Sequence, residues 1–155
     1  MRLFLSTYIH KIDKKGRVSL PSTYRTIINE NNSFELILFK SFKFKAIEGC
    51  NYKRIETIAK NIDHLDIFSD DQDDFTTSIF SELKPVNLDT EGRFLIPEEL
   101  KHYAQIDNDA TFVGQGHSFQ IWNPGSAKLR QQESRNRLIR DKKTLRSIIS
   151  GEDNE

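Results

Sequence analysis

The feature that most constrains this 155-residue chain is a short motif that occurs twice. Residues 13–21 read Asp-Lys-Lys-Gly-Arg-Val-Ser-Leu-Pro, and residues 89–97 read Asp-Thr-Glu-Gly-Arg-Phe-Leu-Ile-Pro. Both copies share Asp-x-x-Gly-Arg, two alternating apolar residues after the arginine, and a closing proline. A repeat of this kind indicates that the chain is a tandem duplication of one supersecondary unit.

The spacing within the motif predicts a reversing turn that leads into a short strand. The carboxylates of Asp13 and Asp89 can accept backbone N–H groups of the bend, and Gly16 and Gly92 can adopt the positive φ that a β-carbon disfavours. The apolar alternation that follows is typical of a strand, and the proline ends it because proline cannot donate to a ladder.

Arg17 and Arg93 therefore lie where each turn enters its strand. A guanidinium held there can point outward, and its planar fork matches phosphate or the O6/N7 edge of guanine. The alternative is that Asp and Arg only pair across the turn and the motif is structural. Two copies with the same arginine at the same offset favour a binding role.

The residues around each motif predict the same order of elements in both copies: strand, turn, strand, helix, strand, strand. Pro and Ser or acidic residues precede apolar groups at helical spacing, which predicts helices. Short runs of apolar residues with high β-propensity predict the last two strands of each copy. The predicted ranges are helices at 21–28 and 97–104, and strands at 2–12, 34–39, 42–47, 84–88, 111–114 and 119–122.

Two segments lie outside the repeated order. Residues 51–80 place apolar groups at helical spacing and predict two linking helices. The acidic cluster at 70–74 lacks the glycine and glutamate of a calcium loop, so a solvated helix entry is the preferred interpretation. Residues 126–149 predict one basic helix, which is either solvated, a partly ordered arm, or packed on a neighbour.

Charge is segregated although the formal net charge is zero. Residues 1–29 contain six basic residues and one acidic residue, and residues 126–150 contain eight basic and two acidic residues. The basic region at the start contains the first motif, where Lys14 and Lys15 flank the turn and Arg25 lies on the following helix. These three cations suit phosphate contacts, or else ordinary solvation.

Several classes of protein are not indicated. The single cysteine, Cys50, cannot form an internal disulfide, which fits a reducing cytoplasm. No apolar stretch approaches 18 residues, so neither a membrane span nor an exported protein is expected. The four histidines have no metal-binding spacing, and neither a phosphate-binding loop nor a nucleophile elbow occurs. We therefore expect no enzyme activity, metal, cofactor or small-molecule substrate.

The paired motifs, the helices that follow them, and the run Thr-Phe-Val-Gly-Gln-Gly-His-Ser-Phe-Gln-Ile-Trp-Asn at 111–123 resemble the MraZ family of bacterial transcriptional regulators. The resemblance implies a mainly β fold with short helices (α+β), in which two AbrB-like swapped-hairpin units form one pseudo-two-fold barrel. The implied units are 1–50 and 81–125, with a helical linker at 51–80 and a basic helical or partly disordered tail at 126–155.

The resemblance also implies a function. Such proteins are cytoplasmic and nucleoid-associated, assemble as homo-oligomeric rings, and bind G-rich direct repeats in double-stranded DNA at the promoter of the division and cell wall gene cluster, as repressors. Their DNA-contacting positions correspond to Lys14, Lys15, Arg17 and Arg93. The second motif departs from the family pattern, because Thr90-Glu91 stands where a basic residue is common. A second hypothesis is an AbrB-like antitoxin or protein-binding module whose arginine turns dock an acidic partner.

Overall fold

The computed structural model of the chain describes residues 2–31 and 35–152. Within them eight strands occur in consecutive pairs that are separated by helices, which confirms the predicted class, mainly β with short helices. In chain order the elements are β1 (Thr7–Lys11), β2 (Arg17–Ser19), α1 (Ser22–Ile28), a 3-10 turn (Asn29–Asn31), β3 (Glu35–Lys40), β4 (Ile47–Cys50), α2 (Tyr52–Asp63), α3 (Asp70–Phe80), β5 (Lys84–Asn87), β6 (Arg93–Leu95), α4 (Glu98–Tyr103), β7 (Asp109–Gly114), β8 (Phe119–Trp122), α5 (Pro124–Arg140) and α6 (Leu145–Glu152).

The two copies of the repeat exchange their first strands. The main sheet has the antiparallel order β1-β7-β8-β4-β3-β5, so β1 of the first copy pairs with β7 of the second, and β5 of the second pairs with β3 of the first. Strands β2 and β6 form a separate two-stranded ribbon. The order is unchanged when the copies are interchanged, as expected for swapped hairpins. Among the described residues the strands form these two open ladders rather than one closed ladder.

The ribbon lies on the local pseudo-two-fold axis. Val18 pairs with Phe94, and these residues occupy the same position in the two copies of the motif. Their neighbours pair in the matching way, Arg17 with Leu95 and Ser19 with Arg93. Val18 and Phe94 are both buried, so one face of the ribbon is directed into the protein core.

The main core contains a cluster of aromatic rings on the buried side of the ribbon. Tyr24, Phe112 and Phe119 are buried with ring centroids 5.2–6.4 Å apart, in tilted or edge-on arrangements. The linking helices serve the other side of the sheet: Ile37 and Phe39 of β3 cluster with Cys50 and with Ile55 of α2. Strand β3 is therefore buried on both faces, which explains its unbroken apolar run.

One predicted strand is displaced. Residues 42–46 form a series of bends, and the strand runs from Ile47 to Cys50 instead. Ser41 Oγ accepts hydrogen bonds from the backbone N–H groups of Lys43 and Phe44, both at 3.3 Å, and this local bonding competes with a ladder. The apolar alternation there reflects a packed loop. Phe34, the predicted start of the preceding strand, lies outside the described residues.

The prediction of one continuous helix in the tail is wrong, because two helices are present, α5 and α6. Lys142 has φ 51° and ends the first of them. Thr144 and Ser147 then begin the second with reciprocal side-chain to backbone hydrogen bonds of 3.0 Å each. The chain divides into two compact units, the first ending at Pro124 and the second beginning at Gly125. No helix in the described ranges has the length and apolarity to cross a bilayer.

Candidate nucleic-acid interface

The first turn is built around the carboxylate of Asp13. Its Oδ1 accepts the backbone N–H of Lys15 at 2.9 Å and that of Arg17 at 2.8 Å, and its Oδ2 accepts Nε of Arg17 at 2.8 Å. The backbone closes the bend through Asp13 N to Arg17 O at 2.8 Å and Gly16 N to Asp13 O at 3.0 Å. Gly16 has φ 85°, so the turn requires a residue without a β-carbon.

The second turn repeats this geometry bond for bond. Asp89 Oδ1 accepts the backbone N–H of Glu91 and that of Arg93, both at 2.9 Å, and Oδ2 accepts Arg93 Nε at 3.0 Å. Gly92 has φ 78°. One contact is additional: Nη2 of Arg93 lies 3.4 Å from Oε2 of Glu91. The first turn has Lys15 at the corresponding position, so the two turns differ in charge but not in backbone.

These hydrogen bonds keep both aspartates ionised. The backbone N–H of Arg17, followed by its guanidinium and the N–H of Lys15, lowers the pKa of Asp13 below its usual value despite some desolvation. The backbone N–H of Arg93, with that of Glu91 and the Arg93 guanidinium, likewise lowers the pKa of Asp89. The negative charge that orients each arginine is thus present at all pH values near neutrality.

Each arginine forms an ion pair with the aspartate of its own turn. From the sequence, this pairing was the alternative to a binding role. The pair engages Nε and leaves the side chain part-exposed, at 31% for Arg17 and 27% for Arg93. For Arg17, neither Nη atom has a hydrogen-bond or ion-pair partner in the described part of the chain. The aspartate therefore orients the guanidinium and leaves the Nη1/Nη2 fork of Arg17 available to a partner.

The ribbon places both arginines on one face. Paired residues of an antiparallel ladder lie on the same side, and successive residues alternate between sides. Because Val18 and Phe94 point into the core, Arg17, Arg93, Ser19 and Leu95 lie together on the opposite face. Arg17 and Arg93 are diagonal neighbours, a relationship that puts Cα atoms roughly 7–8 Å apart.

The other predicted residues fall in two places. Lys14 and Lys15 are exposed at the tip of the first turn, on the same ribbon end as Arg17. Arg25 does not join them, because it packs over the second turn and donates from Nη1 to Glu91 O at 3.0 Å. Sequence reasoning missed Ser19 and Leu95, which complete the exposed face. The alternation of strand residues could have identified them, because residues two positions from Arg17 and Arg93 lie on the same face of a strand.

The fold is thus a strand-exchanged duplication of one unit that holds two oriented arginines on one ribbon face, a candidate binding face. Comparison with known proteins agrees. Residues 79–146 match the family described as "MraZ protein, putative antitoxin-like". The transcriptional regulator MraZ of Pelagibacter ubique is 44% identical over 124 residues, 80% of each chain. That of Rickettsia typhi is 36% identical over 148 residues, 96% of this chain and 99% of the relative.

The chain belongs to the MraZ family of transcriptional regulators. The resemblance drawn from the repeated motif is thereby confirmed, and so is the prediction that the chain is not an enzyme, since the family consists of regulators. The match extends across both copies of the motif and, in the Rickettsia typhi relative, across nearly the entire chain.

Proposed function

We propose that this regulator represses transcription by binding G-rich direct repeats in double-stranded DNA through the exposed face of the β2–β6 ribbon. Its target is the promoter of the division and cell wall gene cluster, and it acts in the cytoplasm on the nucleoid. The observation that carries the proposal is the placement of Arg17 and Arg93 on one face of a two-stranded ribbon, each oriented by an aspartate.

A two-stranded ribbon that carries two arginines on one face is compatible with recognition in the DNA major groove. The major groove admits a two-stranded β-ribbon, and a bidentate arginine contact to guanine O6 and N7 is the commonest specific contact there. Asp13 holds Arg17 through Nε alone, so the Nη1/Nη2 fork of Arg17 is available for such a contact. Each bidentate pair discriminates by about 1–3 kcal/mol against the wrong base.

Lys14 and Lys15 supply the sequence-independent part of the interaction. Both are exposed at the tip of the first turn, where the local charge is positive. Lysines so placed bind phosphates, release counterions, and make affinity fall as salt rises. The second turn contributes less of this attraction, because Glu91 occupies the position of Lys15 and is 69% exposed.

One chain offers too few base contacts to select a promoter within a chromosome. A homo-oligomeric ring that presents several ribbons in succession would raise the effective concentration of each contact at the next repeat. Direct repeats in DNA would then match repetition in the protein. Sizing the free protein by light scattering tests the ring, with a single-chain mass as the contradicting result.

A second candidate function is that of an antitoxin-like protein whose arginine turns dock an acidic partner. Two observations support this second function. The family is described as antitoxin-like, and a guanidinium oriented by an aspartate also fits a carboxylate of a partner. It differs from DNA binding in its dependence on base sequence. An acidic surface would be recognised without guanine, and any duplex would then bind equally.

Binding of the full chain to two duplexes decides between these functions. One duplex carries spaced G-rich repeats, the other has the same composition scrambled, and both are measured by fluorescence anisotropy from about 50 to about 200 mM salt. We expect the repeat duplex to bind more tightly at every salt concentration, and Arg17→Ala to remove the difference. Equal binding of the two duplexes by the wild-type chain would contradict the proposal.

A further inference from the structure

Arg25 is the one basic residue of the predicted set that the structure removes from the exposed ribbon face. It lies on α1 of the first copy, yet it contacts the second turn, 66 residues away in sequence. Its Nη1 donates to the backbone oxygen of Glu91 at 3.0 Å. Its Nε is buried and has no hydrogen-bond partner among the described residues. The guanidinium is therefore engaged in part by the second turn.

The side chain of Arg25 also packs against the backbone of the second turn. A methyl group added to Gly92 would lie 2.2 Å from Cδ of Arg25 and 2.4 Å from its Nη1. Gly92 thus has two reasons to be glycine, its positive φ and the close approach of Arg25. Together the contact and the hydrogen bond hold Glu91 and Gly92, the two residues that precede Arg93.

The first turn has no such support. The residue that corresponds to Arg25 in the second copy is Lys101, on α4. A methyl group added to Gly16 would meet only Leu95 Cδ2, at 3.5 Å, among the described residues, and no atom of Lys101 within 4 Å. The pseudo-symmetric turns therefore share their internal hydrogen bonds but not their external ones.

We propose that Arg25 is a positioning residue that fixes the second turn and so sets the direction of Arg93, whereas the first turn is left free to adjust. This inference rests on the proposed DNA-binding function only for its consequence, not for the contact itself. In DNA recognition, the contact with Arg25 would hold Arg93 in one direction, so that Arg93 fixes the register on the DNA. Arg17 and its flanking lysines would instead adapt to the neighbouring bases. The two halves of a repeat would be read with unequal tolerance.

The contact itself is tested without DNA. Amide hydrogen exchange, followed by mass spectrometry on the full chain, compares wild type with Arg25→Met and with Lys101→Met as the pseudo-symmetric control. We expect Arg25→Met to speed exchange of the amides of residues 91–93 roughly tenfold while those of residues 15–17 keep their rates. Lys101→Met should leave both turns unchanged. Unaltered exchange at 91–93 in Arg25→Met would overturn the inference.

The consequence is tested with the repeat and scrambled duplexes over the same salt series. Positioning predicts that Arg25→Met weakens the repeat duplex about tenfold, leaves the scrambled duplex almost unaffected, and preserves the slope of log K against log salt. A direct phosphate contact predicts equal weakening of both duplexes and a slope smaller by about 0.9 per subunit, which would overturn positioning. Arg25→Lys keeps the charge but cannot reproduce the donor geometry, so positioning predicts no rescue.

Failure of the two ideas is distinguishable. If wild type does not prefer the repeat duplex, the proposed function fails, and hydrogen exchange alone decides the role of Arg25. If wild type does prefer it while Arg25→Met retains full preference, the function stands and the positioning role fails.

Discussion

Glu91 Oε2 lies 3.4 Å from Nη2 of Arg93, an ion pair with no counterpart at the first turn, where Lys15 takes the place of the glutamate. The pair occupies part of the fork that would contact guanine, and it adds a negative charge to a face that would meet phosphates in the proposed complex. Glu91 is 69% exposed, so the interaction is weak and easily displaced. The second turn is nevertheless the less favourable half of the proposed interface.

Replacing Glu91 should therefore improve DNA binding. We expect Glu91→Gln to tighten the repeat duplex by roughly two- to fivefold, the range that corresponds to an exposed ion pair of up to about 1 kcal/mol. Anisotropy titration measures it. Glu56→Gln makes the same charge change on an exposed part of α2 and should have little effect. Weaker binding by Glu91→Gln would show that this glutamate holds Arg93 in its productive direction.

Arg17 gives the sharpest single substitution. We expect Arg17→Ala to lose about 1–3 kcal/mol of discrimination per subunit, hence to abolish preference for the repeat duplex, because the fork that would contact guanine is gone. Folding should persist, since the side chain is part-exposed and the backbone hydrogen bonds of Asp13 remain. Circular dichroism and light scattering check fold and assembly. A variant that still prefers the repeats as wild type does would remove Arg17 from the interface.

The local parts of this fold were predictable because they are encoded locally. Asp and Gly three residues apart specify the turn, and the alternation after Arg17 and Arg93 specifies the strand. The partner of each strand is not encoded in this way. Packing between the two copies determines that β2 pairs with β6 and that β1 pairs with β7. No short sequence pattern predicts this packing.

The same limit applies to the candidate site. Sequence placed Arg25 on a helix beside the first motif, but its contact with Glu91 spans 66 residues and depends on how the copies exchange strands. The bends at 42–46 and the break before Thr144 were missed for a different reason. There, Ser41, Thr144 and Ser147 bond their neighbouring backbone, and such side-chain bonding can override an apolar period.

The two turn glycines form a matched pair for stability. Both have positive φ, so alanine at either costs about 1–2 kcal/mol in backbone strain. At Gly92 the new methyl group also collides with Arg25, and displacing that side chain loses its hydrogen bond, a further cost of about 1 kcal/mol. We expect Gly92→Ala to destabilise the chain more than Gly16→Ala in urea unfolding. The difference in free energy of unfolding between the two alanine variants should become smaller when both are made in an Arg25→Ala background. An unchanged difference would mean that Arg25 does not restrain the turn.

The turn aspartates predict how stability responds to acid. Hydrogen bonds lower the pKa of Asp13 and of Asp89 below the usual value of 3.8, so the folded state binds these protons less readily than the unfolded state. A carboxyl group with a lowered folded pKa contributes stability above its unfolded pKa and loses it as pH falls through the folded pKa.

Stability should consequently be level from pH 7 to about pH 5 with respect to these groups and should fall below about pH 4. Asp13→Asn with Asp89→Asn keeps an oxygen for the backbone N–H groups but removes the charge that pairs with Arg17 and Arg93. We expect the double variant to be less stable than wild type at pH 7 and to approach wild type as the pH falls through the lowered folded pKa values of the two aspartates. Urea unfolding at several pH values measures this, and Asp74→Asn, an exposed carboxylate outside both turns, serves as the control. Parallel pH curves for wild type and the double variant would mean that the turns stay closed without the ionised pair.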